Sequence, residues 1–311
     1  MRTTTFNQSD SASLLHLWNR SSNFDQLDEN VFYEKIWGDS DYCVDLGQVV
    51  LEDGEPVAMA LGIVRQTVTE CRGYIKLLAV SPKYRRQGLA QQLVQDLQDK
   101  LMQHDVAAIR VGESAPNYLF PGVDVRYSGA VKLFKSLGYE QVGRAHNLFA
   151  DIDQKDFLDQ PLEDALRAKG FEIRRATHED AQVIDDLIAR YWLAWRAEIS
   201  QALQNVPISI HLAIKGEQVV GFSVYDSNNL GTGWFGPMGT RPEFQGIGIG
   251  RVLMFRCLQD IKTQGHVRAT IAWVSPTRLY AKHADAKPGR TFIRYEHRLV
   301  SHDQEKEISR L

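Results

Sequence analysis

Pro82-Lys83-Tyr84-Arg85-Arg86-Gln87-Gly88-Leu89-Ala90 returns later in the chain as Pro242-Glu243-Phe244-Gln245-Gly246-Ile247-Gly248-Ile249-Gly250. Both copies read Pro, a charged residue, an aromatic, then Arg/Gln-x-x-Gly-x-Gly/Ala. A strand-like run precedes each copy and an amphipathic helix follows it. Such a turn points successive backbone N–H groups into one concavity at a helix N-terminus, where the helix dipole also favours negative charge. The pattern predicts a duplicated phosphate-binding turn. Two other phosphate loops are excluded. The dinucleotide fingerprint needs a glycine where Arg251 stands, and no Gly-Lys-Ser/Thr follows either turn.

The repeat extends outward from the turns. Leu89, Leu93, Leu97 and Leu101 recur every four residues, as do Ile249, Leu253, Cys257 and Ile261, which predicts one helix after each turn. Upstream, Asp53-Gly54 and Lys215-Gly216 each separate two apolar runs and predict hairpins. Tyr74 to Val80 is an almost continuous apolar run, as expected of a strand covered on both faces. Trp234-Phe235-Gly236-Pro237-Met238-Gly239 reads as a strand, yet its proline cannot donate to a ladder and predicts a bulge. Thr177 with Asp180 fits a helix-capping pattern. Helices interleaved with strands in this order predict an α/β fold with a mixed sheet, made twice. The bounds read as 1–153 for the first domain, 154–169 for a charged linker containing Pro161, 170–300 for the second domain and 301–311 for a polar tail.

With 311 residues, 43% hydrophobic and 24% charged, the chain has the composition of an ordinary two-domain globular protein. A net charge of −3 provides no basic footprint for nucleic acid, and no apolar run approaches a membrane span. Neither partner is expected. The residues from Met1 to Asp10 lack the apolar core of a signal peptide, so a cytoplasmic location is expected. Cys43, Cys71 and Cys257 are odd in number and widely spaced, forming no disulfide framework or metal knuckle. His178, His283 and His297 show no ligand spacing, and no metal is expected.

The duplicated turn resembles motif A of the GNAT superfamily of acetyl-CoA-dependent N-acetyltransferases. The resemblance covers about residues 1–300 and implies two tandem acyl-CoA N-acyltransferase domains. It implies that acetyl-CoA is held by Arg85, Arg86, Gln87, Gly88, Leu89 and Ala90 in the first half. In the second half, Gln245, Gly246, Ile247, Gly248, Ile249, Gly250 and Arg251 correspond. The pantetheine arm and thioester oxygen would meet backbone groups along Leu78, Ala79 and Val80, or along Met238, Gly239 and Thr240. Leu279-Tyr280-Ala281-Lys282 matches the family's tyrosine helix, which implies that Tyr280 protonates the departing thiolate. The first half has Leu133-Phe134-Lys135 there, and phenylalanine has no proton to give. The second half is therefore expected to be catalytic and the first degenerate or regulatory, unless Tyr118, Tyr127 or a water substitutes. Glu198 and Asp226 border the expected second acceptor cleft, where solvated surface charge explains them equally well.

Ile75 to Val80, Pro116 to Asp124, Phe235 to Thr240 and Trp273-Val274-Ser275-Pro276 are similar to bacterial tandem GNAT proteins that include glucosamine/glucosaminide N-acetyltransferases. The family's Gly-Ala after the tyrosine helix is replaced by His283-Ala284-Asp285-Ala286. The implied acceptor is the primary amine of a small molecule, best an amino sugar. Mycothiol-synthase-like chemistry, an aminoglycoside or peptide amine, and a non-catalytic acetyl-CoA-binding protein are the alternatives.

Overall fold

Both four-residue apolar repeats become helices in the computed structural model, which describes residues 1–67, 69–274 and 277–299. In chain order the elements are β1 (Arg2–Thr4), α1 (Ser11–Ser21), α2 (Glu29–Lys35), β2 (Gly47–Glu52), β3 (Glu55–Gln66), β4 (Cys71–Val80) and α3 (Leu89–Met102). There follow β5 (Ala108–Val111), β6 (Val123–Asp124), α4 (Ser128–Ser136), β7 (Glu140–Asp151), α5 (Gln160–Ala168), β8 (Phe171–Arg175), α6 (Ala181–Tyr191) and α7 (Arg196–Leu203). The chain continues through β9 (Ile210–Lys215), β10 (Gln218–Tyr225), β11 (Trp234–Thr240), α8 (Ile249–Thr263), β12 (Arg268–Ile271), α9 (Arg278–Ala284) and β13 (Lys287–Arg298). This is the mixed α/β architecture made twice. The expected tail and the end of the second domain at 300, together with Ser275 and Pro276, lie outside the described residues.

Leu89, Leu93, Leu97 and Leu101 are all buried on α3, and Ile249, Leu253, Cys257 and Ile261 on α8. The hairpins form as two-residue loops, with Glu52 opposite Glu55 around Asp53-Gly54 and Lys215 opposite Gln218. Asp53 and Gly54 both take positive φ, 53° and 85°, which matches the right-handed twist of the strands they join. Strand β4 is covered on both faces. Ile75 belongs to a core shared with α3, and Leu77 and Ala79 to one shared with α1 and α2.

The chain divides into two compact units, but not into the contiguous segments read from the sequence. Met1–Ala145 packs with the described residues from Thr291 on, and His146–Arg290 forms the second unit. Glu296–Arg298 of β13 pairs with β5 in the first unit, and Leu148–Asp151 of β7 pairs with β12 in the second. Each unit thus takes a closing strand from the other half of the sequence. Strand pairing is non-local, and linear order gives no sign of it. The expected linker is also more than a tether. Asp159 caps α5 by accepting the Leu162 N–H, and Pro161 stands in the first turn, where its missing N–H costs nothing.

Thr177 and Asp180 form the expected capping box. Arg174 binds the Asp180 carboxylate at 2.7 Å through both terminal nitrogens. Chiefly through that hydrogen bond, the carboxyl is held down to about 2, against an ordinary 3.8. A folded value below the unfolded one gives stability that is complete above pH ~4 and lost as pH falls towards 2. It amounts to about 2 kcal/mol. The stability advantage of wild type over Asp180→Asn, read from urea melts, is expected to shrink by that amount between pH 5 and pH 2. An advantage that does not change with pH would refute the pairing.

Candidate functional site

In each half a parallel strand pair opens partway along. Strands β4 and β5 are paired from Arg72 opposite Ala108 to Ile75 opposite Val111, and Lys76–Val80 continue with no strand partner on that side among the described residues. Among the described residues, strands β11 and β12 pair at Trp234 and Phe235 alone. Each opening coincides with a bulge. Opposite Leu61 and Gly62 of β3 the register of β4 slips at Lys76, and opposite β10 that of β11 slips at Gly236-Pro237. The bulge expected from Pro237 is present, and its peptide bond to Gly236 is cis.

The end of the opened strand leads into the repeated turn. Arg86 and Gly88 take φ of 62° and 85°, and Gly246 and Gly248 take 80° and 102°, so the two turns share one backbone shape. The first residue of each turn ties it to the strand. Arg85 Nε donates to the Val80 carbonyl at 3.1 Å, and Gln245 Nε2 donates to that of Thr240 at 3.0 Å. Those two carbonyls are therefore already engaged. The backbone N–H groups of Gln87, Gly88, Leu89 and Ala90 find no backbone acceptor among the described residues, and neither do those of Ile247, Gly248, Ile249 and Gly250. Four such donors at a helix N-terminus suit an anion.

The surroundings of the turns differ. A Cβ added at Gly88 would meet nothing within 4 Å, and Lys83, Arg85 and Arg86 are exposed beside it. Leu78 and Val80 are half-buried on the opened strand. A pyrophosphate and an apolar arm fit this first cleft. A Cβ at Gly248 would lie 2.8 Å from Leu162 Cδ1 of α5, and Asp159 holds the Arg251 guanidinium at 2.7 Å. At the second turn, which carries the fuller glycine pattern, a leucine packs on Gly248 and the neighbouring arginine is paired. Glycine count reports backbone freedom and says nothing of what packs on the turn.

Tyr280 is half-buried on α9, with its ring edge-on to Phe235 at 5.9 Å and packed in the same core as Met238. No hydrogen-bond partner for its hydroxyl is found among the described residues, and burial pushes the phenol up to about 12. It is a protonated group on α9, against Phe235 of β11. Phe134 is 2% exposed, between Tyr139 and Tyr295 in the core. The matched motif positions thus have unmatched environments. Of the tyrosines considered as substitutes in the first half, Tyr118 is buried, and Tyr127 donates to Asp25 Oδ2 at 2.7 Å and accepts from the Phe24 N–H. Asp226 and Glu198 are buried, so solvated surface charge does not explain them. Asp226 accepts from Gly231 N–H and from Gln264, past the C-terminus of α8 and away from the turn at its other end. It holds the loop that follows β10. In the Pro116 to Asp124 stretch, Phe120 stacks 6.3 Å from both Trp18 and Phe292.

Sequence reading missed a buried charge cluster at the first bulge. The slip at Lys76 puts its side chain on the α2 side, where Nζ bonds Asp39, which also takes two hydrogen bonds from Arg65 at 2.7 and 2.6 Å. Burial pushes the Lys76 ammonium down to about 7 against the pull of Asp39. Burial raises the Asp39 carboxyl, and Arg65 and Lys76 outweigh it, holding it below its ordinary value. The available signal was a lysine inside an apolar run, since a buried charge needs a partner. Among the described residues no group of metal-binding side chains gathers, and no helix is long and apolar enough to cross a membrane.

A family model described as acetyltransferase (GNAT) matches residues 11–139 and 169–284. Among solved structures, a glucosamine N-acetyltransferase region of a fungal multi-domain GH3 β-N-acetylglucosaminidase superposes with a TM-score of 0.78 at 16% identity, over 95% of this chain and 38% of that one. A GCN5-related N-acetyltransferase from Sphaerobacter thermophilus gives 0.70 at 17% identity, over 96% and 95% of the two chains. A tandem GNAT protein from the clavulanic acid biosynthesis pathway gives 0.67 at 13%, over 96% and 98%. At these identities the likeness is one of fold. No curated protein sequence matches.

Proposed function

We propose that this chain, which belongs to the acetyltransferase (GNAT) family, moves an acetyl group from acetyl-CoA to the primary amine of a small molecule, an amino sugar of the glucosamine class. The observation that carries the reading is the first cleft, where an opened strand pair, a bulge at its vertex and an uncovered cationic turn succeed one another along β4 and α3. Acetyl-CoA supplies the activated acyl group when bound. The amides of Gln87 to Ala90 and the Arg86 side chain would hold its pyrophosphate, and Leu78 and Val80 its apolar arm. The bulge at Lys76 takes backbone groups out of the ladder, and such preorganised amides suit a developing oxyanion. An amino-sugar amine is less basic than that of lysine, so more of it is neutral near pH 7. The fold likeness to the fungal glucosamine N-acetyltransferase region supports that acceptor class. Purified protein with acetyl-CoA and a panel of glucosamine, muropeptide fragments, polyamines, aminoglycosides and peptide amines tests the proposal. Thiol release greatest with the amino sugars is expected, and release with none of the amines refutes it.

A second reading puts the chemistry in the second half, favoured by the hydroxyl of Tyr280 beside β11, protonated and with no hydrogen-bond partner among the described residues. On that reading Tyr280→Phe lowers turnover by ~10²–10⁴-fold, the usual cost of a lost general acid, and leaves acetyl-CoA affinity intact. Turnover retained in this variant at saturating substrates places the chemistry in the first half.

A further inference from the structure

The segment between the two halves lies across the second turn. Phe157 is buried against Phe255 of α8 at 5.5 Å, and its N–H donates to Gln259. Lys155 donates to the Ala284 carbonyl at the end of α9 and accepts from Lys262 of α8. So anchored, the segment brings Asp159 to Arg251, Leu162 to Gly248 and Glu163 to Arg256. Two carboxylates thus neutralise both arginines on the first two turns of α8, and a leucine fills the space that stands open at Gly88. A phosphate entering there would displace an apolar contact and meet like charge.

We propose that the segment from Asp153 to Ala168 is a built-in stopper of the second phosphate-binding turn, so that each chain takes a single acetyl-CoA, through the first turn. The inference rests on the reading that the chain uses acetyl-CoA, and it disfavours catalysis at Tyr280. The turn itself is intact: its φ values repeat those of the first, and its N–H groups are unclaimed by the backbone among the described residues. What closes it is Leu162 and Asp159, which can be removed without touching it.

Titration calorimetry of the full chain with coenzyme A tests this. Wild type is expected to bind one equivalent, and Asp159→Ala with Leu162→Ala to bind two, the added site being the weaker. Gly88→Val is expected to leave no detectable site, and joining it to the double variant to restore one. Two equivalents in wild type, one in the double variant, or undiminished binding in Gly88→Val each overturn the stopper. If wild type binds none, the proposed function fails and takes this inference with it. Should circular dichroism show the double variant unfolded, Leu162→Ala alone keeps the Asp159 cap. It must then show a second site for the proposal to stand.

Discussion

Gly88→Val is expected to weaken acetyl-CoA binding by about 100-fold or more and to take turnover down with it. Hydrogen bonds to a charged group contribute about 1.5–3 kcal/mol each, and losing two of the turn's N–H contacts reaches that factor. At φ 85° a β-branched residue is strained, and its methyls occupy the space beside the N–H groups of Gln87 to Ala90. The strain has an internal control. Gly54 has the same φ of 85° and likewise nothing within 4 Å of its added Cβ, but it turns the β2–β3 hairpin. Gly54→Val should cost comparable stability and leave affinity unchanged. Equal affinities in the two variants, measured by calorimetry on folded protein, would mean that the first turn does not hold the pyrophosphate.

Much of the architecture was legible because the chain repeats it. A four-residue apolar period specified α3 and α8, and turn glycines specified the hairpins. A proline inside an apolar run marked the β11 bulge, since no ladder admits it without distortion. The division into units was not legible. Nothing local to Glu140–Asp151 or Lys287–Arg298 records which edge each half of the strand will meet. The stopper had local signals that were read as something else. Asp159-Gln160-Pro161 is a cap followed by a first-turn proline, so the same residues that suggest a linker also start a helix. No one-dimensional pattern says that the next leucine covers Gly248.

The first cleft shows the same limit at closer range. Motif matching aligned Phe134 with Tyr280 and found a missing acid, yet burial puts Phe134 in the core, where a hydroxyl at that position would have nothing to protonate. The glycine count favoured the second turn for a similar reason. A motif records what a backbone can do, and access depends on residues elsewhere in the chain.

Asp39→Ala is expected to destabilise the protein by ~3–5 kcal/mol, the usual consequence of stripping one partner from a buried ion pair. The Asp39 side chain is 1% exposed and serves two cations, Arg65 at 6% and Lys76 at 0%. Arg65 keeps Asp41 and the Ser114 carbonyl. Lys76 loses its acid, and burial, already the largest influence on its ammonium, then acts without that opposition. Its folded value therefore falls further below the unfolded one, near 10.4. For such a group the unfolded chain binds more protons than the native one, so stability rises with pH. The deficit of Asp39→Ala relative to wild type should accordingly be larger at pH 6 than at pH 9. Lys76→Met, which removes the charge and keeps an apolar chain of similar length, should cost less than Asp39→Ala, because Arg65 still occupies both Asp39 oxygens. A deficit under ~1 kcal/mol at pH 6 would be that of a solvated surface pair. It would contradict the burial on which the anchoring of the β4 bulge depends.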